Sequence, residues 1–331
     1  MRKNWAALLF LFFFCIQARA ELQFNEGDRI LLYGNSFVER MQQNGFFEAA
    51  LQLANPEKKI ELRSLAWTGD ELGYRLRPER YVNHLKKLLD RWSADYVILG
   101  FGLYESFAGP SGIEKFKADL NGYLDEIKRR HPEAGIILLS PIATEDLNHP
   151  HYPDPARRNG EIKSYVNAMS SIAESRKIQL IDLFEFSKAQ YSNNRKSLTE
   201  NGIHLNSYGH ELIAEQLSRS ILGDRIYDGI DKKRIGSVAR AIARKAQYVS
   251  TVVRPVNTVL YFGVRGRANE YNAEIPRYHE LIKRSDERIH AMARDRTLNF
   301  DSSPLTLDPL FEREPAKLPS PEQMLKSFKV A

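Results

Sequence analysis

The segment from Arg29 to Gln42 contains the first residues that could do chemistry. Arg29–Tyr33 is a short apolar run typical of a buried parallel strand, and the residues after Ser36 have helical spacing. A serine between such a strand and helix would lie above the carboxyl end of a sheet, beside the positive end of a helix dipole. Its hydroxyl could act as a nucleophile there. Serine is also a preferred helix N-cap, so these residues alone leave a purely structural role open.

Three further segments place glycine or polar residues where a predicted strand or the loop after it ends. They are Thr68–Asp70, Gly102–Glu105 and Glu200–His204. In an open parallel sheet, ligands bind in the crevice beyond the carboxyl ends of the strands. We therefore expect these segments and Ser36 to meet at one edge of the sheet.

Five apolar runs alternate with helical patterns, which predicts βα units and a parallel sheet covered by helices on both faces. The predicted strands are residues 29–33, 60–66, 96–101, 135–141 and 178–183, and the predicted helices are residues 37–54, 78–93, 112–130, 155–176 and 207–222. The sequence shows no internal repeat.

The first twenty residues have the pattern of a cleaved signal peptide. A basic start is followed by an apolar core and by Ala18-Arg19-Ala20, a small-x-small cleavage site. We therefore expect export to the periplasm or beyond, with a mature chain that starts near Glu21. Cys15 is the only cysteine, so the exported protein would have no disulfide and no thiolate site.

Composition limits the classes of partner that the protein could bind. The formal net charge of +6 falls to about +3 when Arg2, Lys3 and Arg19 leave with the leader. That charge is too small to predict nucleic-acid binding, and no motif supports it. No later apolar run is long enough to span a membrane.

The residues after the predicted sheet differ in character. We predict a signal peptide over residues 1–20, the main domain over 21–228, a mostly helical C-terminal extension over 229–300 and an extended tail over 301–331. Lys232–Val253 is basic with an apolar stripe at helical spacing, and the tail is rich in proline with few large apolar residues.

At this point residues 28–222 resemble the SGNH (GDSL-type) hydrolase family. Gly34–Ser36 resembles its first block, Gly69 matches the glycine of the second, Gly102–Glu105 falls where the third is expected, and His204 falls where the fifth block has its general base. The resemblance implies a flavodoxin-like fold, three layers α/β/α with a five-stranded parallel sheet. The resemblance is closest to a secreted branch typical of planctomycete- and verrucomicrobia-like bacteria.

The resemblance also implies a reaction. Ser36 would attack an ester carbonyl, and His204 would take its proton and later give it to the leaving alcohol. The N–H groups of Ser36 and Gly69, with a third donor, would hold the oxyanion. No metal and no organic cofactor is required. Gly69 could instead be a turn glycine that needs positive φ.

Two positions depart from the family pattern. Tyr104 replaces the third-block asparagine that donates to the oxyanion, and it could be a donor or a wall of the pocket. The acidic partner of His204 is expected three residues earlier, where Asn201 stands; the nearest carboxylate is Glu200. Glu200 could orient the ring, Asn201 could do so without a charge, or a backbone carbonyl could leave the site as a dyad.

Some other residues invite a role in binding. Trp67 could stack on a sugar ring or pack in the core, and Arg265 and Arg267 could face a negative group on a glycan or be solvated. The loop that holds His149 and His151 has no known zinc spacing, so we expect no metal site there.

The sequence thus favours an exported serine esterase that removes small acyl groups, most simply acetyl, from a carbohydrate. An acylated carbohydrate or another small ester would be its partner. The departures at Tyr104 and Asn201 favour an alternative, an impaired hydrolase scaffold that binds glycan or protein. A third possibility is acyl transfer between glycans. Oligomeric state is left open.

Overall fold

A parallel sheet forms the centre of the computed structural model, which describes residues 21–72, 90–152, 154–254 and 268–303. Its strands are β1 (Arg29–Gly34), β2 (Glu61–Ser64), β3 (Tyr96–Gly100), β4 (Gly135–Leu139) and β5 (Gln179–Ile181). They lie in the order β2-β1-β3-β4-β5, and every neighbouring pair is parallel. The predicted fold class is confirmed.

Helices cover both faces of the sheet. They are α1 (Ser36–Asn44), α2 (Phe46–Ala54), α3 (Ile113–Arg130), α4 (Pro155–Arg176), α5 (Leu183–Asn193) and α6 (Ser207–Leu222), with a 3₁₀ helix at Glu105–Gly112. Along β1, Leu31 and Tyr33 belong to one apolar core, whereas Ile30 and Leu32 belong to the other. This alternation follows from the two-residue period of a strand, and it explains why β1 is apolar throughout.

Paired glycines let helix α1 start close to the ends of the two central strands. Gly34 of β1 lies opposite Gly100 of β3. A Cβ atom on Gly34 would come within 2.5 Å of the Gly100 carbonyl oxygen, and one on Gly100 would come equally close to Val38 of α1. The first residues of α1, Ser36 among them, are therefore held directly over the carboxyl edge of the sheet.

The single helix predicted over residues 37–54 is wrong, because Gly45 divides it into α1 and α2. Gly45 has a φ of +75°, in the left-handed region that favours glycine. A Cβ atom there would lie 2.5 Å from the carbonyl oxygen of Ala239. Apolar spacing continues through the break, so periodicity did not reveal it.

The fifth strand is shorter than predicted. Asp182 ends it, because its carboxylate accepts hydrogen bonds from the N–H groups of Phe184 and Glu185 and so caps α5. The apolar residues beyond Asp182, which the sequence suggested were strand, form the first turn of a helix.

Within the described residues, three helices come after α6: α7 (Asp224–Gly229), α8 (Lys232–Val253) and α9 (Ala268–Arg294). Helix α8 packs on α1, α2 and β2, and α9 packs on α8 and α2. Ala49 of α2, Val238 and Ile242 of α8 and Ile289 of α9 share a small apolar cluster. The helical residues after the sheet are thus built onto its β2 side. No helix among the described ranges is long and apolar enough to cross a membrane.

Several sequence predictions lie outside the described residues. They are the leader at residues 1–20, most of the helix predicted over 78–93, and all of the tail except residues 301–303.

Candidate active site

Ser36 is the first residue of helix α1 and lies where β1 ends. The side chain of Asn35 caps the helix by accepting a hydrogen bond from the N–H of Phe37. The capping role therefore belongs to Asn35, which leaves the hydroxyl of Ser36 for other partners. Ser36 is buried, and its Oγ faces Gly69 and Tyr104.

Tyr104 lies between Ser36 and His204. Its hydroxyl oxygen is 2.7 Å from Oγ of Ser36 and 3.3 Å from Nε2 of His204. The resemblance implied that Ser36 would pass its proton to His204. In the structure the phenol oxygen lies within hydrogen-bond distance of both side chains, because tyrosine reaches further than the asparagine expected at this position. The three residues form a hydrogen-bonded row, Ser36–Tyr104–His204.

Asn201 holds the other side of the His204 ring. Oδ1 of Asn201 accepts hydrogen bonds from the backbone N–H groups of Ile203, at 3.3 Å, and His204, at 3.0 Å. These bonds fix the orientation of the amide. Nδ1 of His204 lies 3.2 Å from the same oxygen and 3.1 Å from Nδ2 of that amide, so Asn201 can pair with either tautomer of the ring. The tautomer with its proton on Nδ1 leaves Nε2 free to accept a proton from Tyr104.

Glu200 does not contact the His204 ring as its acidic partner. Its carboxylate pairs with Arg40 instead, 3.0 Å from Nη1. Between the two residues named as partners for His204, the structure brings Asn201 to the ring and turns Glu200 toward solvent. An amide can orient an imidazole, but it cannot balance the charge of an imidazolium.

Burial and charge lower the pKa of His204. Burial of the ring is the larger cause, and the positive charge of Arg40 adds to it, while Glu200 opposes the shift. The ring is therefore neutral at pH 7, the state in which Nε2 accepts a proton.

Gly69 brings a backbone donor to the nucleophile. Its N–H donates to Oγ of Ser36 at 3.3 Å, and its φ of +78° suits glycine. Gly69 is thus a turn glycine whose N–H group is directed at the Oγ of Ser36, and its role as an oxyanion donor stays a prediction. An oxyanion that forms on a carbonyl attacked by Ser36 would develop close to this donor.

Three buried glutamates that the sequence did not single out as a set fix the loops around the site. Each accepts hydrogen bonds from the backbone of a loop distant in sequence: Glu39 from Thr68, Glu105 from Leu72, and Glu145 from Leu198 and Thr199. Glu105 also accepts from the nearby N–H of Gly102. Their position within a few residues of a strand end was the one signal available, because a bond from a carboxylate to a remote backbone leaves no motif.

The remaining candidates lie away from the hydrogen-bonded row. Trp67 is partly buried, and the guanidinium of Arg254 lies 5.5 Å from the centre of its ring, so a cation covers one face of the indole. Arg265 and Arg267 lie outside the described residues. His149 and His151 sit in an exposed loop with rings 5.5 Å apart, and no cluster of metal-ligating side chains occurs in the described part of the chain.

Comparisons with known proteins identify the family of this chain. The sequence model of the GDSL-like lipase/acylhydrolase family matches residues 32–212, more than half of the chain. A GDSL esterase/lipase of Arabidopsis thaliana is 24% identical over 208 residues, which cover 58% of this chain and 85% of that relative.

Two solved structures are also similar. One is a catalytic variant of an acetylxylan esterase from Geobacillus stearothermophilus, with a TM-score of 0.47 and 18% identity over 60% of this chain and 96% of that one. The other is an α/β hydrolase from the metagenome of Lake Arreo in Spain, with a TM-score of 0.46 and 18% identity over 60% of this chain and 96% of that one.

The chain belongs to the GDSL-like lipase/acylhydrolase family, and it is an ester hydrolase. The resemblance to the secreted planctomycete-like branch stays a prediction.

Proposed function

We propose that this protein is an exported serine esterase that removes small acyl groups, acetyl above all, from carbohydrate. The observation that carries the proposal is the hydrogen-bonded row Ser36–Tyr104–His204 with the N–H of Gly69 directed at its first member. The leader pattern at residues 1–20 supports export.

The reaction would begin with attack of Ser36 Oγ on the ester carbonyl. The serine proton would pass to the hydroxyl oxygen of Tyr104 while the phenol gives its own proton to Nε2 of His204. The carbonyl oxygen, now negative, would accept hydrogen bonds from the N–H groups of Gly69 and Ser36. When the tetrahedral intermediate collapses, the bond to the leaving alcohol breaks, and its oxygen takes the proton back from His204 through Tyr104. Water would then release the acyl group from Ser36 by the same steps.

The preference for a short acyl group follows from the same residue. The hydroxyl of Tyr104 lies 2.7 Å from Oγ of Ser36, where the family has a smaller asparagine, so we infer that the larger side chain leaves less room beside the nucleophile for a long acyl chain. The sequence also has no apolar lid of the kind that lipases use. We propose carbohydrate as the leaving alcohol because the partly exposed indole of Trp67, two residues before Gly69, would stack on a sugar ring.

Hydrolysis assays with a matched series of esters test this function. We expect p-nitrophenyl acetate and acetylated xylo-oligosaccharides to be hydrolysed, with kcat/KM falling from acetate to octanoate, and with Ser36→Ala reducing turnover by about 10³-fold or more. Adding an acceptor sugar to the reaction and identifying the products distinguishes acyl transfer from hydrolysis. Turnover equal in the native protein and in Ser36→Ala would reject the esterase.

Tyr104→Phe tests the proton route. The substitution keeps the ring and removes only the hydroxyl, so we expect kcat to fall about 10²-fold or more, the usual range for a general acid–base group. Tyr104→Asn restores the family residue and should be the milder change. The native enzyme should also show a solvent isotope effect that reports two protons in flight. Tyr104→Phe with native kcat would rule this route out.

The interposed phenol also favours a second candidate, a binding protein on an impaired hydrolase scaffold. In that case Tyr104 separates Ser36 from His204 and blocks the reaction. Glycan binding would then survive Ser36→Ala, and Tyr104→Asn would create esterase activity that the native protein lacks. Native turnover that depends on Ser36 would eliminate this candidate.

A further inference from the structure

Glu39 connects helix α1 to the loop Trp67–Asp70, which we call the oxyanion loop because it holds Gly69. It lies one turn after Ser36, is buried, and accepts hydrogen bonds from both the N–H of Thr68, at 2.6 Å, and the hydroxyl of the same residue. The next N–H along the chain is that of Gly69, which donates to Ser36. Because Glu39 holds Thr68 at both its backbone N–H and its side-chain hydroxyl, the conformation of Thr68 is restricted, and this constrains where the N–H of Gly69 points.

Arg254, from the helical extension, supplies the cation for this carboxylate. It caps the end of α8, and its Nη1 lies 3.0 Å from one carboxylate oxygen of Glu39 and 3.3 Å from the other. Its guanidinium also lies over the ring of Trp67, the residue before Thr68. Arg254 therefore contacts the oxyanion loop from two sides, although 215 residues separate it from Glu39.

The charge of Glu39 makes this contact matter for catalysis. An unpaired carboxylate buried near Gly69 would repel the oxyanion that forms there, since charges interact strongly where water is excluded. Arg254 balances that charge while it leaves the carboxylate bound to the loop.

We propose that Arg254 is a positioning residue for the oxyanion hole, so that the helical extension completes an active site otherwise built by the hydrolase core. The inference rests on the esterase function proposed above. Arg254 acts through Glu39 and the Thr68–Gly69 peptide, and it has no contact with the reacting atoms. Loss of Arg254 should therefore lower kcat and leave KM nearly unchanged.

A double-mutant cycle on Arg254 and Glu39 tests the inference. We expect Arg254→Met to lower kcat about 10-fold, and Glu39→Gln, which keeps an acceptor for Thr68 without the charge, to lower it by less than about 3-fold. The double variant should recover to within about 3-fold of Glu39→Gln, because no carboxylate is left unpaired. Arg284→Met, in an exposed pair with Glu280 on α9, is the matched control and should keep the native kcat.

Hydrogen exchange gives a readout that needs no turnover. In a Ser36→Ala background, Arg254→Met should speed exchange of the amides in residues 65–72, whereas Arg284→Met should not. In an active enzyme, native kcat and native exchange for Arg254→Met would overturn this inference alone, and so would strictly additive effects in the double variant. Absence of Ser36-dependent turnover in the native protein would instead overturn the proposed function, and the catalytic role of Arg254 with it.

Discussion

Buried carboxylates are used differently at the catalytic edge and at the interface with the helical extension. At the edge, Glu105 and Glu145 accept hydrogen bonds mainly from backbone N–H groups of remote loops. At the interface, Glu48 and Asp286 share the buried Lys245, which lies 2.9 Å from Asp286. Apart from Glu39, which also pairs with Arg254, the edge carboxylates hold their loops through neutral donors, whereas cations hold the added helices.

The surroundings shift the pKa values of Glu105, Glu48 and Asp286. Burial is the largest influence on Glu105 and raises its pKa against the hydrogen bonds from the backbone. Burial also raises the pKa of Glu48, although Lys245 opposes it. At Asp286, Arg63 and Lys245 together outweigh burial, so its pKa is lowered. Backbone donors therefore fix the geometry of the loops at the edge, while the interface depends on the balance of buried charges.

Lys245→Met should have the largest effect on stability. It leaves Glu48 and Asp286 buried with Arg63 as the remaining cation, and breaking such a cluster costs about 3–5 kcal/mol. Urea denaturation at pH 7 measures the loss. The deficit should shrink as pH falls, because a protonated Glu48 needs no cation. Lys232→Met, in an exposed pair with Asp228, is the control and should cost about 1 kcal/mol or less.

A change below about 1 kcal/mol for Lys245→Met would show that this interface is held by its apolar contacts and not by charge. The two kinds of buried carboxylate would then have different partners without a different effect on stability.

His210 extends the comparison to a buried group that has neither kind of partner. Its ring stacks on Phe37, its nitrogens have no hydrogen-bond partner within the described chain, and burial lowers its pKa to about 3. The unfolded chain, with a pKa of 6.5 at this residue, takes up a proton first as pH falls, so stability drops below pH 6.5. Between pH 6.5 and pH 4 this residue should account for a loss of about 3 kcal/mol.

His210→Leu measures that loss directly. At pH 7 the free energy of unfolding of the variant should lie within about 1.5 kcal/mol of the native value. Between pH 7 and pH 4 it should fall by about 3 kcal/mol less than that of the native protein. Thermal or urea unfolding at pH 7 and pH 4 gives both numbers. An unchanged pH dependence would mean that His210 is not the group that titrates.

Glu145→Ala tests the backbone-bonded carboxylates. It leaves the N–H groups of Leu198 and Thr199 without their acceptor and should cost about 1–3 kcal/mol. Because Thr199 leads into the loop of His204, kcat should fall too, while Glu133→Ala on the surface should change neither. Loss of stability with native kcat would show that the loop keeps its geometry without Glu145.

The extent to which sequence predicted this site follows from where each group acts. Ser36, Gly69 and His204 each follow a strand or a strand-end loop, so a pattern of blocks was enough to name them. Tyr104 was named as well, but its interposition between two side chains depends on the length of a phenol within one particular geometry. The roles of Glu39 and Glu145 depend on contacts with remote backbone, which no local pattern records.

The sequence also predicted the strands of the fold, but it missed one helix break. Alternating apolar runs predicted the five strands and their cover, because burial on both faces demands apolar residues throughout. The break at Gly45 escaped, since its cause is the close approach of Ala239 from a helix almost 200 residues later.

The smallest expected effects concern the exposed pair beside His204. Arg40 lowers the pKa of His204 and Glu200 raises it, both more weakly than burial. Because His204 must be neutral to accept a proton, the acid limb of kcat/KM should move to higher pH in Arg40→Met and to lower pH in Glu200→Gln, each by less than about one unit. Stability should change by about 1 kcal/mol or less, as expected of an exposed ion pair. A loss of kcat near 10²-fold in Glu200→Gln would make Glu200 the acidic partner of His204 after all, and the edge would then use a charge where we infer that it uses the amide of Asn201.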